Sequence, residues 1–333
     1  MKRVAINGFG RIGRTVLRAL LSDPAAKNKV SVVAINLGPS KPSNLDILFK
    51  YDSTMGVFPG TVSCEKDQLI IDGSPIALLN EPAPEKLPWQ KLQVDCVVES
   101  SGAFTDGQQA KRHLDAGARQ VIITAPATNE DLALVLGVND QAYDQNKHAV
   151  ISLGSCTTNC FAPLVKVLHE AFGITSGLMT TVHAYTNDQV LLDVEHKDPR
   201  RARAAALNMV PTKTGASKLI AKLFPELAGC ISAVAIRVPT PVVSLLDFSF
   251  TAQKALSVEA INRALAAASN EALRGIMQYE TQPLVSSDFK GSTASCIIDS
   301  QLTQVAGNMG KVFAWYDNEY GYSCRVRDFL LHN

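Results

Sequence analysis

Residues 3–21 read RVAINGFGRIGRTVLRALL, and their pattern decides the fold of the N-terminal part of the chain. A short apolar run with strand character is followed by a glycine turn and then by apolar residues at helical spacing. Gly8 permits a tight turn, Gly10 lets the backbone approach a pyrophosphate, and Gly13 allows close packing of helix against strand. The free N–H groups at the helix start favour a negative ligand. The segment therefore predicts a dinucleotide-binding turn, and the alternative is a glycine turn used only for packing.

Further apolar runs of strand character follow this turn, each ending in small or polar residues. They read VSVVAIN (30–36), LQVDCVVES (92–100), RQVIITAP (119–126) and HAVISLG (148–154). Helical segments fall between several of them, for example at 106–116. Such alternation predicts an α/β domain of the Rossmann type, a doubly wound parallel sheet with helices on both faces. We place this dinucleotide-binding domain at residues 1–152.

The pattern changes in the second half of the chain. Between about 176 and 250, runs such as SGLMTTVHAY and VVSLLDFSF alternate in polarity, which is typical of antiparallel strands, and a helix is expected at 257–269. We predict an α+β catalytic domain with a mainly antiparallel sheet at residues 153–313. A C-terminal helix at about 314–333 is expected to pack back on the first domain.

Composition excludes several classes of protein. Of the 333 residues, 46% are hydrophobic and 19% are charged, as in an ordinary folded globular protein. The net charge is +1, so the overall charge indicates neither nucleic acid as the main partner nor binding to an acidic membrane surface. No apolar run is long enough to span a bilayer, and we expect a cytoplasmic protein. The seven cysteines, an odd number without a CxxC pair, indicate neither a disulfide framework nor a zinc site, and no metal is predicted.

Residues 155–160 read SCTTNC and precede an amphipathic helix, which places Cys156 at the helix N-terminus. The helix dipole and the nearby N–H groups favour the thiolate of Cys156. His183, at the end of the strand in TTVHAYTND, is the candidate base. The structural alternatives are a polar turn with half-buried thiols and an ordinary strand histidine; Cys160 fits a small buried residue or a redox partner. With a dinucleotide, the pair predicts thiolate attack on an aldehyde, hydride loss and a thioester.

The second strand ends without the carboxylate that usually holds the adenosine ribose of NAD. Leu37 follows Asn36, and Asp46 lies too far along the chain to serve. A missing carboxylate removes repulsion against a 2′-phosphate, which Ser40 and Lys41 could hydrogen-bond. The choice between NAD and NADP therefore stays open on these residues.

With these residues assembled, the chain resembles phosphorylating glyceraldehyde-3-phosphate dehydrogenases over nearly its whole length. The resemblance rests on INGFGRIGR, KYDSTMG, SCTTNCFAP, TVHAYTNDQ, HKDPRRARAAALNMVPTKTGASK, IRVPTP, PLVSSDF and WYDNEYGYSCRV. It implies oxidation of glyceraldehyde 3-phosphate with inorganic phosphate and a nicotinamide cofactor, and a homotetramer in which the segment 190–212 lies between subunits.

The resemblance also implies roles for individual residues. Cys156 is similar to the family's nucleophile and His183 to its base. The residues expected around the two phosphates are Thr186, Asp188 and Arg237 for the substrate, Ser155, Thr157, Thr214 and Gly215 for inorganic phosphate, and Arg201 between them. The residues expected at the cofactor are Gly8, Gly10, Arg11, Ile12 and Gly13 around the pyrophosphate, Leu37, Ser101 and Thr124 along the groove, and Asn318 at the nicotinamide amide.

Three positions depart from the family pattern. Leu37 replaces the usual Asp, and Glu195 replaces the proline before HKD in a loop that reaches a neighbouring subunit's cofactor. Leu37 weakens a preference for NAD, whereas Glu195 would oppose a 2′-phosphate. Ser-Leu-Gly at 152–154 replaces Ser-Asn-Ala. We expect NAD as the cofactor, with NADP or dual use as the alternative.

Two other functions compete with this interpretation. An erythrose-4-phosphate dehydrogenase shares the nucleophile motif, but the AYTND run and the TKTG loop favour the three-carbon substrate. A non-enzymatic binding protein on the same fold is disfavoured by the neutral net charge and by the presence of both Cys156 and His183.

Overall fold

A computed structural model describes residues 1–332 of the protein. In chain order the strands are β1 (Lys2–Asn7), β2 (Val30–Asn36), β3 (Tyr51–Asp52), β4 (Gly56–Val57), β5 (Val62–Glu65), β6 (Gln68–Ile71), β7 (Ser74–Leu79), β8 (Cys96–Glu99), β9 (Gln120–Ile123), β10 (Leu132–Ala133), β11 (Val150–Ser152), β12 (Ile174–Ala184), β13 (Val210–Lys213), β14 (Ile231–Val238), β15 (Ser244–Ala252), β16 (Met277–Glu280), β17 (Cys296–Ala306) and β18 (Met309–Tyr316).

The α-helices are α1 (Arg11–Ser22), α2 (Leu45–Lys50), α3 (Gly107–Ala110), α4 (Arg112–Asp115), α5 (Cys156–Phe172), α6 (Ala216–Leu223), α7 (Val258–Asn270) and α8 (Tyr320–His332). Short 3-10 helices span Pro84–Lys86, Asp140–Ala142, Pro225–Leu227 and Ser286–Phe289. The chain forms two compact units. The first contains Met1–Leu134, Gln141–Gly154 and the chain from Ser323 onward, and the second contains Val135–Asp140 and Ser155–Tyr322.

The first unit is built on a sheet with the strand order β10-β11-β9-β8-β1-β2-β7-β6-β5. The strands from β10 to β7 are parallel, while β7, β6 and β5 form an antiparallel meander at one edge. The chain runs outward from β1 in both directions, so the strand order reverses between β1 and β8. Ligands of such sheets bind outside the carboxyl ends of the strands at this point. The predicted Rossmann-type fold is confirmed.

The apolar pattern of residues 3–21 explains how the first unit is packed. Val4, Ala5 and Ile6 are fully buried in β1, and Val16 and Leu17 are buried on α1. The helix predicted at 106–116 is divided into α3 and α4. Its N-terminus is capped by the Asp106 carboxylate, which accepts a hydrogen bond from Gln108 N at 2.8 Å.

The second unit has a seven-stranded sheet with the order β13-β14-β12-β15-β18-β17-β16. Most neighbouring strands are antiparallel, as predicted, while the pairs β12–β14 and β16–β17 are parallel. Helix α5 packs on one face of this sheet. Phe161 on the helix meets Phe248 on β15 edge-on, with ring centroids 4.9 Å apart. This core fixes the start of α5 against the ends of β12 and β18.

The C-terminal helix begins later than expected. Residues 314–316 belong to strand β18, and α8 begins at Tyr320 after a turn capped by the Asp317 carboxylate, which accepts hydrogen bonds from Glu319 N and Tyr320 N. The apolar-polar alternation through Trp315 and Tyr316 is a strand pattern, which explains the difference. Within residues 1–332, no helix is both long enough and apolar enough to cross a membrane.

Candidate active site

Helix α5 carries the candidate nucleophile on its first residue. Ser155 is the N-cap, and its hydroxyl oxygen accepts a hydrogen bond from Thr158 N at 3.1 Å. The Asn159 side-chain amide donates to Ser155 O at 2.9 Å. These bonds fix the first turn, and Cys156 is only half-buried there, while Cys160, one turn further on, is fully buried in the core. Cys160 therefore has the surroundings of a structural residue.

The candidate base lies next to this thiol. His183 stands near the end of β12, and its Nε2 is 3.5 Å from Cys156 Sγ. Its Nδ1 is 2.6 Å from Ala184 O and 2.8 Å from Arg237 Nη1. When Nδ1 carries the proton and donates it to Ala184 O, Nε2 is unprotonated and accepts from the thiol. That tautomer is the one that acts as a base toward Cys156.

The pair is neutral at pH 7. Burial, together with the positive charges of Arg237 and Arg201, lowers the pKa of His183 to about 3, whereas the hydrogen bond to Ala184 O acts in the opposite direction. Burial also raises the pKa of the Cys156 thiol, although Arg237 and the Thr157 hydroxyl lower it. Desolvation therefore outweighs the groups that favour the thiolate in the free protein.

Two arginines border the pair. Arg237, on β14, donates through Nη1 to Ala184 O at 3.0 Å and lies 3.5 Å from Thr186 Oγ1. Its Nε is buried and has no hydrogen-bond partner within residues 1–332. A buried guanidinium with an unused donor is suited to an oxyanion such as phosphate.

Arg201 is held by its neighbours. Its Nε donates to Thr212 Oγ1 at 2.9 Å, and its Nη1 forms an ion pair with Asp188. Asp188, expected beside the substrate phosphate, is about half exposed, and His196 Nε2 also lies 3.8 Å from its carboxylate. The carboxylate therefore orients the Arg201 guanidinium in this structure.

The residues expected around inorganic phosphate lie at the starts of two helices. Ser155 and Thr157 begin α5, and Thr214 and Gly215 precede α6, where Thr214 Oγ1 accepts a hydrogen bond from Ala216 N at 3.3 Å. Within the described residues, no hydrogen bond joins Thr214 or Gly215 to Cys156 or His183. Sequence reasoning missed Tyr316, whose hydroxyl lies 2.9 Å from Thr157 Oγ1 and 2.7 Å from Thr181 Oγ1.

The first unit carries a groove of about 660 Å³ at the strand-order reversal. Of the predicted cofactor residues, Gly8, Gly10, Leu37 and Ser101 line it. Gly8 has φ +91°, and a Cβ there would lie 2.4 Å from the Ser101 backbone. A Cβ on Gly13 would lie 2.2 Å from Gly8 O, whereas one on Gly10 would meet no protein atom within 4 Å. The glycines thus leave a cradle at Gly10 beside a helix N-terminus, which fits a pyrophosphate.

Other predicted cofactor residues are engaged elsewhere. The Arg11 guanidinium bonds the Asp52 carboxylate and the Thr54 hydroxyl in the β3–β4 hairpin. The Thr124 hydroxyl donates to Glu99 O at 3.1 Å. Ile12 is half-buried on α1. In the second unit, the carbonyl oxygen of the Asn318 side chain accepts from Ser244 Oγ at 3.3 Å.

The groove also contains a carboxylate that the sequence did not predict there. Glu81, just after β7, lines the groove, and its backbone N–H donates to Asn36 Oδ1 at 3.0 Å. Its side chain accepts a hydrogen bond from Ala83 N at 2.9 Å. Because Glu81 is 45 residues from Asn36, only the pairing of β2 with β7 brings it to this groove.

Among residues 1–332, no cluster of histidine, cysteine or carboxylate side chains could hold a metal ion. The seven cysteines are free thiols.

Comparison with known families agrees with this geometry. Residues 2–107 match the NAD binding domain of glyceraldehyde 3-phosphate dehydrogenase, and residues 155–318 match its C-terminal domain. The first match confirms the predicted binding of NAD.

Individual proteins match over almost the full chain. Glyceraldehyde-3-phosphate dehydrogenase of Geobacillus stearothermophilus is 52% identical over 331 residues, 99% of this chain and 97% of that protein. Glyceraldehyde-3-phosphate dehydrogenase 2 of Streptomyces arenae is 50% identical over 98% of this chain and 96% of its own length. Glyceraldehyde-3-phosphate dehydrogenase 1 of Bacillus cereus is 49% identical over 100% of this chain and 98% of its own length. The chain therefore belongs to the glyceraldehyde-3-phosphate dehydrogenase family of NAD-binding oxidoreductases.

Proposed function

We propose that this chain oxidises D-glyceraldehyde 3-phosphate with inorganic phosphate to 1,3-bisphosphoglycerate, using NAD, as an enzyme of glycolysis or gluconeogenesis. The observation that carries the proposal is the 3.5 Å contact between Cys156 Sγ and His183 Nε2 beside the Arg237 guanidinium. A thiol, a neutral imidazole and a buried cation suit an aldehyde that bears a phosphate.

The first covalent step is addition of the thiol to the aldehyde. Cys156 Sγ bonds to the carbonyl carbon, and the thiol proton passes through His183 Nε2 to the carbonyl oxygen, which gives a thiohemiacetal. His183 then takes the hydroxyl proton while the hydride leaves, and a thioester remains on Cys156. NAD, when bound, supplies the acceptor for that hydride.

The second covalent step releases the product. A phosphate oxygen attacks the thioester carbon, the C–S bond breaks, and 1,3-bisphosphoglycerate leaves while the electron pair returns to sulfur. The proton held on His183 is available to the departing thiolate. His183 therefore accepts and returns a proton twice in each turnover, first from the thiol and then from the thiohemiacetal hydroxyl, so that no net charge accumulates in the site.

The charges around the base support a role for the substrate phosphate. Arg237 touches His183 Nδ1 and helps to hold its pKa low. A phosphate dianion on Arg237 would offset that positive charge and raise the pKa of His183. Substrate binding would thus make His183 a stronger base in the complex that needs it.

The remaining phosphate contacts are proposed on the same chemistry. Thr186 and Arg237 would hold the substrate phosphate, and Asp188 would orient Arg201, which serves both phosphates. Inorganic phosphate would bind at the starts of α5 and α6, where Ser155 and Thr214 would contribute side-chain hydroxyls and Thr157 and Gly215 would contribute backbone N–H groups.

The NAD pyrophosphate would bind at Gly8, Gly10 and Gly13, with the backbone of Arg11 and Ile12 at the start of α1. Ser101 and Thr124 would border the cofactor farther along, and the Asn318 side-chain amide would hold the nicotinamide carboxamide. Leu37 gives the adenosine ribose no carboxylate, whereas Glu81 lines the same groove. Glu195 would reach the adenosine side from a neighbouring subunit, as the family resemblance implies. Both carboxylates disfavour a 2′-phosphate, and we propose NAD as the preferred cofactor, with NADP use the alternative.

A homotetramer is proposed from the family and from the exposed apolar side chains between residues 191 and 209. A cytoplasmic location stays a prediction.

The activity test compares glyceraldehyde 3-phosphate with erythrose 4-phosphate, each with NAD or NADP and with or without inorganic phosphate. We expect the highest kcat/KM for glyceraldehyde 3-phosphate with NAD and phosphate, and turnover that stops after one acylation when phosphate is omitted. Mass spectrometry without phosphate should find the acyl group on Cys156.

Two variants complete this test. Cys156→Ser should reduce turnover to background, while Cys230→Ser, a half-buried thiol in the same unit, should leave it unchanged. A higher kcat/KM for erythrose 4-phosphate would assign the chain to the other dehydrogenase, and full turnover by Cys156→Ser would rule out the thioester route.

A further inference from the structure

Tyr316 ends strand β18 and is almost fully buried, with 1% of its surface exposed. Its hydroxyl makes two short hydrogen bonds, at 2.9 Å to Thr157 Oγ1 and at 2.7 Å to Thr181 Oγ1. The edge of its ring meets His183, with ring centroids 6.0 Å apart and planes at 74°. One phenol therefore contacts both elements that carry the candidate reactive pair.

The two threonines connect this phenol to Cys156 and His183. Thr157 follows Cys156 on α5. Thr181 precedes His183 by two residues on β12, so the side chains of Thr181 and His183 lie on the same face of the sheet. Strand β15 lies between β12 and β18, and the phenol reaches across it, a span of roughly 10 Å between strand axes.

The hydrogen bonds have one consistent direction. Cys156 and Thr157 are the first two residues of α5, and a hydrogen bond from the Thr157 side chain lowers the pKa of the thiol. Thr157 Oγ1 must then accept from the Tyr316 hydroxyl, and Tyr316 must accept from Thr181. Burial raises the pKa of Tyr316, so its proton is present for this bond. The result is a directed series of donors, Thr181 to Tyr316 to Thr157, that ends on sulfur.

All three hydroxyl-bearing residues in this series are buried, with Thr157 at 4% and Thr181 at 0% exposure. Water is therefore poorly placed to replace a lost partner. Each donor in such a series polarises the next, which strengthens the final bond to an anionic acceptor. The series opposes the desolvation that raises the pKa of Cys156.

We propose that Tyr316 is a positioning residue that directs the Thr157 hydroxyl to the Cys156 sulfur and thereby stabilises its thiolate. The proposal rests on Cys156 being the nucleophile of the proposed function. The ionisable groups that face this sulfur are His183 on β12, Arg237 on β14, Tyr316 on β18, Cys160 on α5 and Tyr322 on α8. Only the Tyr316 hydroxyl acts through Thr157.

The test measures the thiol directly and needs no substrate. The rate of alkylation of Cys156 by iodoacetamide is followed against pH by mass spectrometry of the peptide that contains it. Tyr316→Phe keeps the ring and removes the hydroxyl. We expect its alkylation profile to move up by about 0.5 to 1 pH unit, the size of one ordinary hydrogen bond, because Tyr316 acts on the sulfur only through Thr157.

Two further variants separate positioning from packing. Thr181→Val removes the first donor and should shift the profile in the same direction by a smaller amount, and the double variant should shift it no further than Tyr316→Phe alone. Tyr279→Phe removes a hydroxyl that bonds no described protein group and should leave the profile unchanged.

A Tyr316→Phe profile that coincides with the wild type overturns the proposal, as do additive shifts in the double variant. If Tyr316→Phe does not fold, the Thr181→Val shift alone decides the question in the same way. Wild-type protein that alkylates normally at Cys156 but oxidises neither aldehyde would instead refute the proposed function.

Discussion

At the residue scale, His183 differs from an ordinary histidine because burial and two nearby arginines lower its pKa, so that the side chain stays neutral at a pH at which an exposed histidine is protonated. Its pKa is about 3 in the folded protein, against about 6.5 for an exposed histidine. Between these values the unfolded chain binds a proton that the folded chain does not. Folding stability contributed by this residue is therefore present above about pH 6.5 and is lost as the pH falls toward 3.

The corresponding prediction concerns His183→Asn, which removes this titration. Between pH 7 and pH 5, the wild type should lose about 2 kcal/mol of unfolding free energy that the variant does not lose. Urea unfolding at both pH values measures the difference, and each protein serves as its own reference. Equal losses in the two proteins would show that His183 is not desolvated in the folded state.

The same residues show how far sequence reasoning reaches. The SCTTNC and TTVHAYTND motifs identified Cys156 and His183, which the structure places 3.5 Å apart. The protonation state of the pair could not be predicted, because burial arises from packing that no local pattern records. Tyr316 was missed for a similar reason. Its partner Thr157 is 159 positions away, and only the sheet order brings the two hydroxyls together.

At the element scale, the turn from β1 to α1 shows why a glycine pattern predicts a fold. Gly8 needs its positive φ and the absence of a Cβ, since the Ser101 backbone occupies that space. The pattern predicted this turn correctly. The ion pair of the Arg11 side chain could not be predicted from the sequence, because its partner Asp52 is 41 residues away on a hairpin that has no distinctive pattern.

Two glycine variants separate the cost of a positive φ from the cost of a Cβ that meets the Ser101 backbone. Gly8→Ala should cost about 3 kcal/mol or more of unfolding free energy, because its Cβ would lie 2.4 Å from backbone atoms that no side-chain rotation can move. Gly73→Ala has a similar φ of +77° but open space around it, and should cost only about 1 kcal/mol. Urea unfolding measures both. Similar losses would mean that Gly8 is required for its φ alone.

At the scale of the whole molecule, the net charge indicates no class of partner, whereas the exposed apolar surface indicates a protein partner. The net charge of +1 gives no general attraction for polyanions. In contrast, the second unit exposes large apolar side chains along the segment 191–209, with Leu191 84% and Leu207 79% exposed. Apolar exposure concentrated in one segment marks a surface that another protein covers. The sequence predicted this segment as a subunit contact through its family resemblance, since composition alone does not show which residues a partner buries.

The assembly prediction follows from that segment. The wild type should behave as four copies of the chain in light scattering coupled to size exclusion, and the paired substitution Leu191→Asp with Leu207→Asp should yield smaller species. The reason is that two carboxylates would be buried without partners at the contact, which costs several kcal/mol per interface by the usual penalty for unpaired charges. Ile47→Asp on α2, where the native side chain is 55% exposed in the first unit, is the matched control and should leave the mass unchanged. A tetramer that persists in the paired variant would place the subunit contacts on another surface, and dissociation by Ile47→Asp would place one of them on α2.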